Sequence, residues 1–93
     1  RDMSIVFSSV CTGDDYTVTE NRNANGGVML VKLQIGLQAC KDACSAQSYE
    51  ICAGFDYEQE TDTCWRHAAG YVLNSYTVRG IHNYRRRNCI NGM

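Results

Sequence analysis

Six cysteines stand among the 93 residues: Cys11, Cys40, Cys44, Cys52, Cys64 and Cys89. An even count at this density points to disulfides, which persist in oxidising compartments outside the cytosol. The rival chemistry is zinc held by Cys40, Cys44, Cys52 and Cys64. Structural zinc sites use two short Cys-x(2–4)-Cys knuckles. Only Cys40 to Cys44 has that spacing, since seven and eleven residues separate the next pairs. The reading is three disulfides, no metal, and a secreted or extracellular chain. Fifteen pairings of six cysteines are open at this point.

Acid–base chemistry has few candidates. The chain has two histidines, His67 and His82. With every cysteine paired, no thiol nucleophile remains. No Gly-x-Ser-x-Gly, His-Glu-x-x-His or phosphate-cradling glycine loop occurs. An enzyme would need an unfamiliar site built from His67 or His82 with a carboxylate such as Asp56. The plainer expectation is a non-enzymatic chain without cofactors, in which both histidines are surface strand residues. Asp14, Asp15 and Glu20 lack the alternating ligands of a calcium loop and read as a solvated acidic loop.

Charge is unevenly spread. Residues 1–62 carry ten acids and four bases; residues 63–93 carry five arginines and no acid. Arg85, Arg86 and Arg87 are consecutive. Such a strip attracts anions: a sulfated glycan, an acidic protein surface or phosphate. Alternation on a strand sends Arg85 and Arg87 one way and Arg86 the other, so the competing reading is a solvated sheet edge. Trp65, the one tryptophan, follows Cys64 directly. If Cys64 faces inward, Trp65 turns outward, to stack on a ligand or to pack against a loop. The candidate ligand-binding residues are Trp65, Arg66, Tyr84, Arg85, Arg86 and Arg87. The loop Asn21–Gly27 is the alternative location. Nucleic acid is not an expected partner for a secreted chain of net charge −1.

The elements that position these groups follow from periodicity. Met3–Val10 reads as a strand and Tyr16–Thr19 as a short one. Asn21–Gly27 is a turn, because Asn and Gly tolerate positive φ, and is long enough to be mobile. Val28–Ile35 is a strand with Met29, Val31, Leu33 and Ile35 on one face. Gly36 breaks it, and Leu37–Gln47 is a helix with Leu37, Cys40 and Cys44 on one face. Cys52–Glu58 and Thr63–His67 form a hairpin around Gln59–Asp62. Tyr76–Arg87 is the last strand, with a bulge at Gly80 to reconcile Val78 with Ile81. Phe55 and Tyr57 are assigned to the core with Met29, Val31 and Leu33. One domain, 1–93, results: α+β, with one helix packed on an antiparallel sheet of about five strands. No apolar run approaches the ~20 residues of a membrane helix, so membrane insertion is not expected. The start at Arg1 suggests a mature or excised segment. No glycosylation sequon and no proline occur.

Cys40-Lys-Asp-Ala-Cys44, Cys52-Ala-Gly-Phe55-Asp-Tyr57 and Thr63-Cys64-Trp65 together resemble the PAN/apple domain family. In that family a helix carries Cys-x3-Cys, followed by a Cys-x-x-Phe-x-Tyr strand, a hairpin and another Cys. Cys11 and Cys89 resemble the outer pair of the six-cysteine apple form, and Asn83–Cys89 resembles the family's last strand. Residues 12–35 match only as a generic pattern. The resemblance implies the pairs Cys11–Cys89, Cys40–Cys64 and Cys44–Cys52. Chain entropy assigns the three loops about 4.5, 3.5 and 2.6 kcal/mol, comparable in sum to the stability of a small domain. The resemblance also implies protein or carbohydrate binding. The expected function is an extracellular recognition module for protein–protein binding or adhesion. The alternatives are a lectin-like module with a site around Trp65, and a building block that contacts its own copies.

Overall fold

The structure, a computed structural model, describes residues 16–31 and 36–87. The expected strand Met3–Val10 and the residues Asp14, Asp15, Leu33, Ile35, Cys11 and Cys89 lie outside them. Five strands form one antiparallel sheet: β1 (Tyr16–Thr19), β2 (Val28–Val31), β3 (Gly54–Glu58), β4 (Thr63–His67) and β5 (Ile81–Arg86). Their spatial order is β1-β5-β3-β4-β2, which puts β3 at the centre. Among the described residues one helix, α1 (Leu37–Ser45), packs on one face. The chain is an α+β, disulfide-stapled domain.

Helix α1 starts at Gly36, whose φ of 91° suits glycine alone. Gly36 has no side chain to cap with; its own N–H donates to Asp62 Oδ2 at 3.1 Å. The helix ends two residues earlier than expected, at Ser45, with Ala46 as its C-cap. Its last turn contains no base. Arg86 of β5 supplies one from across the fold. Its Nη1 donates to the carbonyls of Cys44, Gln47 and Cys52 at 3.3, 2.8 and 3.1 Å, and its Nη2 to that of Ser45 at 3.4 Å. A guanidinium is suited to this because it presents five donors in a fixed fork. Orphan carbonyls and the negative end of the helix dipole are both satisfied.

The core lies between α1 and the sheet. Phe55, Cys40, Cys44, Cys52 and Cys64 are fully buried there, with Tyr16, Leu30, Leu37, Tyr57 and Tyr84 packed around them. Cys40 is joined to Cys64 and Cys44 to Cys52, with Cα–Cα distances of 6.1 and 5.4 Å. Helix and hairpin are thus stitched through the core itself. Two strands differ from expectation. In β2 Met29 pairs with Trp65 and is 40 % exposed, Leu30 packs against the core, and the register slips between Met29 and Val31. The inward set Met29, Val31 and Leu33 is corrected for Met29, whose cross-strand partner Trp65 lies on the face opposite the helix. In β5 there is no bulge at Gly80. The strand begins at Ile81, Gly80 occupies a turn at φ 88°, and Ile81 N–H donates to Val78 C=O at 3.3 Å. Val78 and Ile81 never needed a common face.

Four tyrosines are held above their ordinary phenolic range. Burial does this for Tyr16, Tyr71 and Tyr84. Tyr57 is pushed up to about 12, first by its hydrogen bond to the Asp62 carboxylate and then by desolvation. Phenolate in the unfolded chain forms near pH 10. The contribution of the Tyr57–Asp62 contact is therefore complete below about pH 10 and is lost as pH climbs toward the folded value. A phenolate absorbance titration should show a fraction ionising near pH 12, and Tyr57→Phe should remove it. An unchanged late fraction in that variant would refute the assignment.

Candidate functional site

Alternation divides the side chains of the central strands between two environments. One cross-strand row runs Tyr84–Phe55–Arg66–Val28, and the next runs Asn83–Asp56–Trp65–Met29. The first row is on the helix face. The second is on the opposite face, with His67, Gly54 and Arg85 in the row beyond it. Two loop segments, 20–27 and 68–80, lie on that second face. They are tied together by asparagines. Asn74 N–H donates to Asn23 C=O at 2.9 Å, and Asn74 Nδ2 to the side chains of Asn23 and Asn25 at 3.1 and 3.2 Å. Asn21 Oδ1 accepts from Gly80 N–H at 3.1 Å, and Asn21 N–H donates to His82 Nδ1 at 3.0 Å. The polar side chains of the Asn21–Gly27 loop are used as fasteners.

Beneath the loops is a buried polar cluster. Asp56 and His67 are only 2 % and 3 % exposed, and Asn83 is fully buried. The Asp56 carboxylate accepts from His67 Nε2 at 2.7 Å, from Ala24 N–H at 3.0 Å and from Asn83 Nδ2 at 2.9 Å. Asn83 Oδ1 in turn accepts from Tyr71 OH at 3.0 Å. Tyr71 fills a slot above Gly54, between Arg85 and His67. Its ring stacks on the His67 imidazole at 4.9 Å, and the Arg85 guanidinium lies over it at 4.1 Å. Only glycine leaves room, since a Cβ on Gly54 would sit 2.3 Å from the Tyr71 oxygen. His67 is therefore a buried member of a hydrogen-bonded network, which corrects its reading as a surface residue.

Trp65 stands at the edge of this cluster. Segment 20–27 crosses close above it; a Cβ on Gly27 would lie 2.8 Å from Trp65 Cβ and 3.1 Å from His67 Cε1. A cavity of about 210 Å³ opens here, lined by Asn23, Ala24, Gly27, Asp56, Trp65 and Ile81. Its walls are mostly apolar, with one amide and one carboxylate. Met29 pairs with Trp65 across the strands and extends the apolar surface outward.

The six residues proposed from sequence do not converge. Trp65 and Arg85 are on the loop face, while Arg66, Tyr84 and Arg86 are on the helix face. Arg86 is used on the helix end, and Arg85 is stacked on Tyr71. Tyr84 stacks on Phe55 at 5.3 Å with Lys41 over its ring at 5.6 Å. Arg66 reaches Ile51 C=O at 3.2 Å. Arg87, just past β5, is exposed. Sequence reasoning missed Tyr71, Ile81 and Asn83, while Asn23, Ala24 and Gly27 lie in the loop it named as the alternative location. The one signal for them was polar residues at mid-strand, Asp56 and Asn83, where apolar ones are the rule. Among the described residues no group of His, Cys, Asp and Glu has the arrangement of a metal site, and no helix is long and apolar enough to cross a membrane.

Fold and cavity together define an α+β domain with a loop-built pocket on the sheet face opposite its helix. Neither a family model, nor a curated protein, nor a solved structure matches the chain.

Proposed function

We propose that the chain is a non-enzymatic extracellular recognition module of PAN/apple type that binds protein. The observation that carries this reading is the cavity beside Trp65, bordered by exposed Met29. Pockets for whole small molecules span about 300–1,000 Å³. This one, at about 210 Å³, is of a size for a single side chain. Aromatic residues and Met are enriched at protein interfaces, and an aromatic wall around an inserted anchor is the usual form of a hot spot. Rigidity supports the same reading. The walls stand on a central sheet and on loops fastened by side-chain hydrogen bonds, so little ordering entropy is lost on binding. Asp56 and His67 hydrogen-bond to each other, and Asp56 also holds the loop through Ala24 N–H. The disulfides Cys40–Cys64 and Cys44–Cys52 suit an oxidising compartment.

A carbohydrate-binding reading has one observation in its favour: Trp65, Asn23 and Asp56 all line the cavity. Peptide display and a glycan array, both against the oxidised 93-residue chain, separate the two. Selected peptides should bind at least about tenfold more weakly to Trp65→Ala, mainly through faster dissociation. Glycan hits without peptide hits would overturn the protein-binding reading.

A further inference from the structure

We propose that the cavity beside Trp65 binds an alkylammonium group, the lysine side chain or terminal amine of a protein partner. This rests on the recognition reading above and names the chemistry of its pocket. Asp56 is the group that decides. Asp56, 2 % exposed, lines the cavity, and its carboxylate accepts three hydrogen bonds, from a backbone amide, a carboxamide and an imidazole. A carboxylate has about four such positions, so one acceptor position is left. The basic side chain facing it at 2.7 Å is the His67 imidazole, which carries charge only when protonated. Buried carboxylates gain from a cation, and an ammonium also gains from the face of an indole. The remaining walls, Ala24, Gly27, Ile81 and the Trp65 ring, suit a methylene stem. A sugar ring needs several directional partners, and Asn23 and Asp56 are the two polar side chains lining the cavity. An anionic ligand would meet the Asp56 charge. The pocket's preference is thus opposite in sign to the one the arginine-rich end of the sequence suggests.

Trp65 is the only tryptophan, so its fluorescence reports the cavity directly. The probe is Nα-acetyl-lysine methylamide, with its Nε-acetylated form as the uncharged control. The free amine should change Trp65 emission saturably, with a Kd in the millimolar range, roughly −4 kcal/mol. The acetylated control should bind at least about tenfold more weakly. Asp56→Asn should lose the amine response to the same extent. Ile81→Phe, which fills the cavity from a half-exposed position, should lose it without touching the polar cluster and serves where Asp56→Asn folds poorly. Equal response to both probes, no saturable response in the native chain, or tighter binding of a methyl hexoside than of the amine would each overturn the inference. Displayed peptides separate its failure from that of the recognition reading. Peptides that lack any amine yet depend on Trp65 would overturn the ammonium assignment and leave protein recognition standing. An array that yields glycans and a display that yields no peptides would overturn both.

Discussion

Asp56→Ala should destabilise the folded domain by at least about 3 kcal/mol, and Asp56→Asn by distinctly less. The alanine variant removes one acceptor, strands the buried donors Ala24 N–H and His67 Nε2, and leaves Asn83 Nδ2 with its 3.5 Å bond to Phe55 C=O. Each unsatisfied buried group costs about 1–3 kcal/mol. The loss spreads further, because Asn83 Oδ1 holds Tyr71, and Ala24 anchors loop 20–27. Asparagine at position 56 keeps the shape and two acceptor sites on one oxygen. Its new amide can donate to Asn83 once that carboxamide turns over, and Asn83 Nδ2 then donates to the Tyr71 hydroxyl. Denaturant unfolding with the disulfides intact gives both values. An alanine variant within about 1 kcal/mol of the native chain would show that the cluster is not a structural unit. So would an asparagine variant as damaging as alanine.

Phe55→Ala should cost about 3–5 kcal/mol. Phe55 has no exposure and sits at the middle of the central strand. It meets Tyr16 edge-on at 5.6 Å and lies flat against Tyr84 at 5.3 Å, within the cluster formed by the four half-cystines. The two disulfides hold helix and hairpin at fixed distances, which hinders collapse into the space left behind. The upper part of the range is therefore expected. A midpoint shift below about 1 kcal/mol would remove Phe55 from the centre of the core. Trp65→Ala is the contrasting case. Trp65 is half-buried under the loop and should affect binding more than unfolding.

Much of the helix face was legible in the sequence. Cys40 and Cys44 at a spacing of four must share a helix face, and Phe55 and Tyr57 at a spacing of two must share a strand face. The hairpin from β3 to β4 followed from its turn residues, and Asp62 at φ 55° confirms the turn. The loop face was not legible. Trp65, His67 and Asp56 could be assigned to one side of their strands. Nothing local says that segments 20–27 and 68–80 come to lie over that side. Asn74 and Asn23 are 51 residues apart and read as ordinary loop residues until they meet. Arg86 likewise reads as one of three equivalent arginines. Only the packing of β5 beside α1 makes it the cap of a helix 41 residues away.

What this sequence determined by itself is parity and covalent chemistry. Period two and period three-to-four sort side chains by face, and six cysteines without zinc spacing imply bridges. Register and coverage were decided by the tertiary structure. The pairing of Met29 with Trp65 set Met29 on the outward face beside it. The register of β5 against β3 set Asn83 beside Asp56. The close fit of Gly27 and Gly54 under neighbouring loop and ring brought Ala24 and Tyr71 onto the same carboxylate network. The physical reason is that alternation is a property of one strand, whereas register is a sum over all its cross-strand pairs and whatever packs above them. A buried carboxylate beside a cavity exists only after that sum is complete.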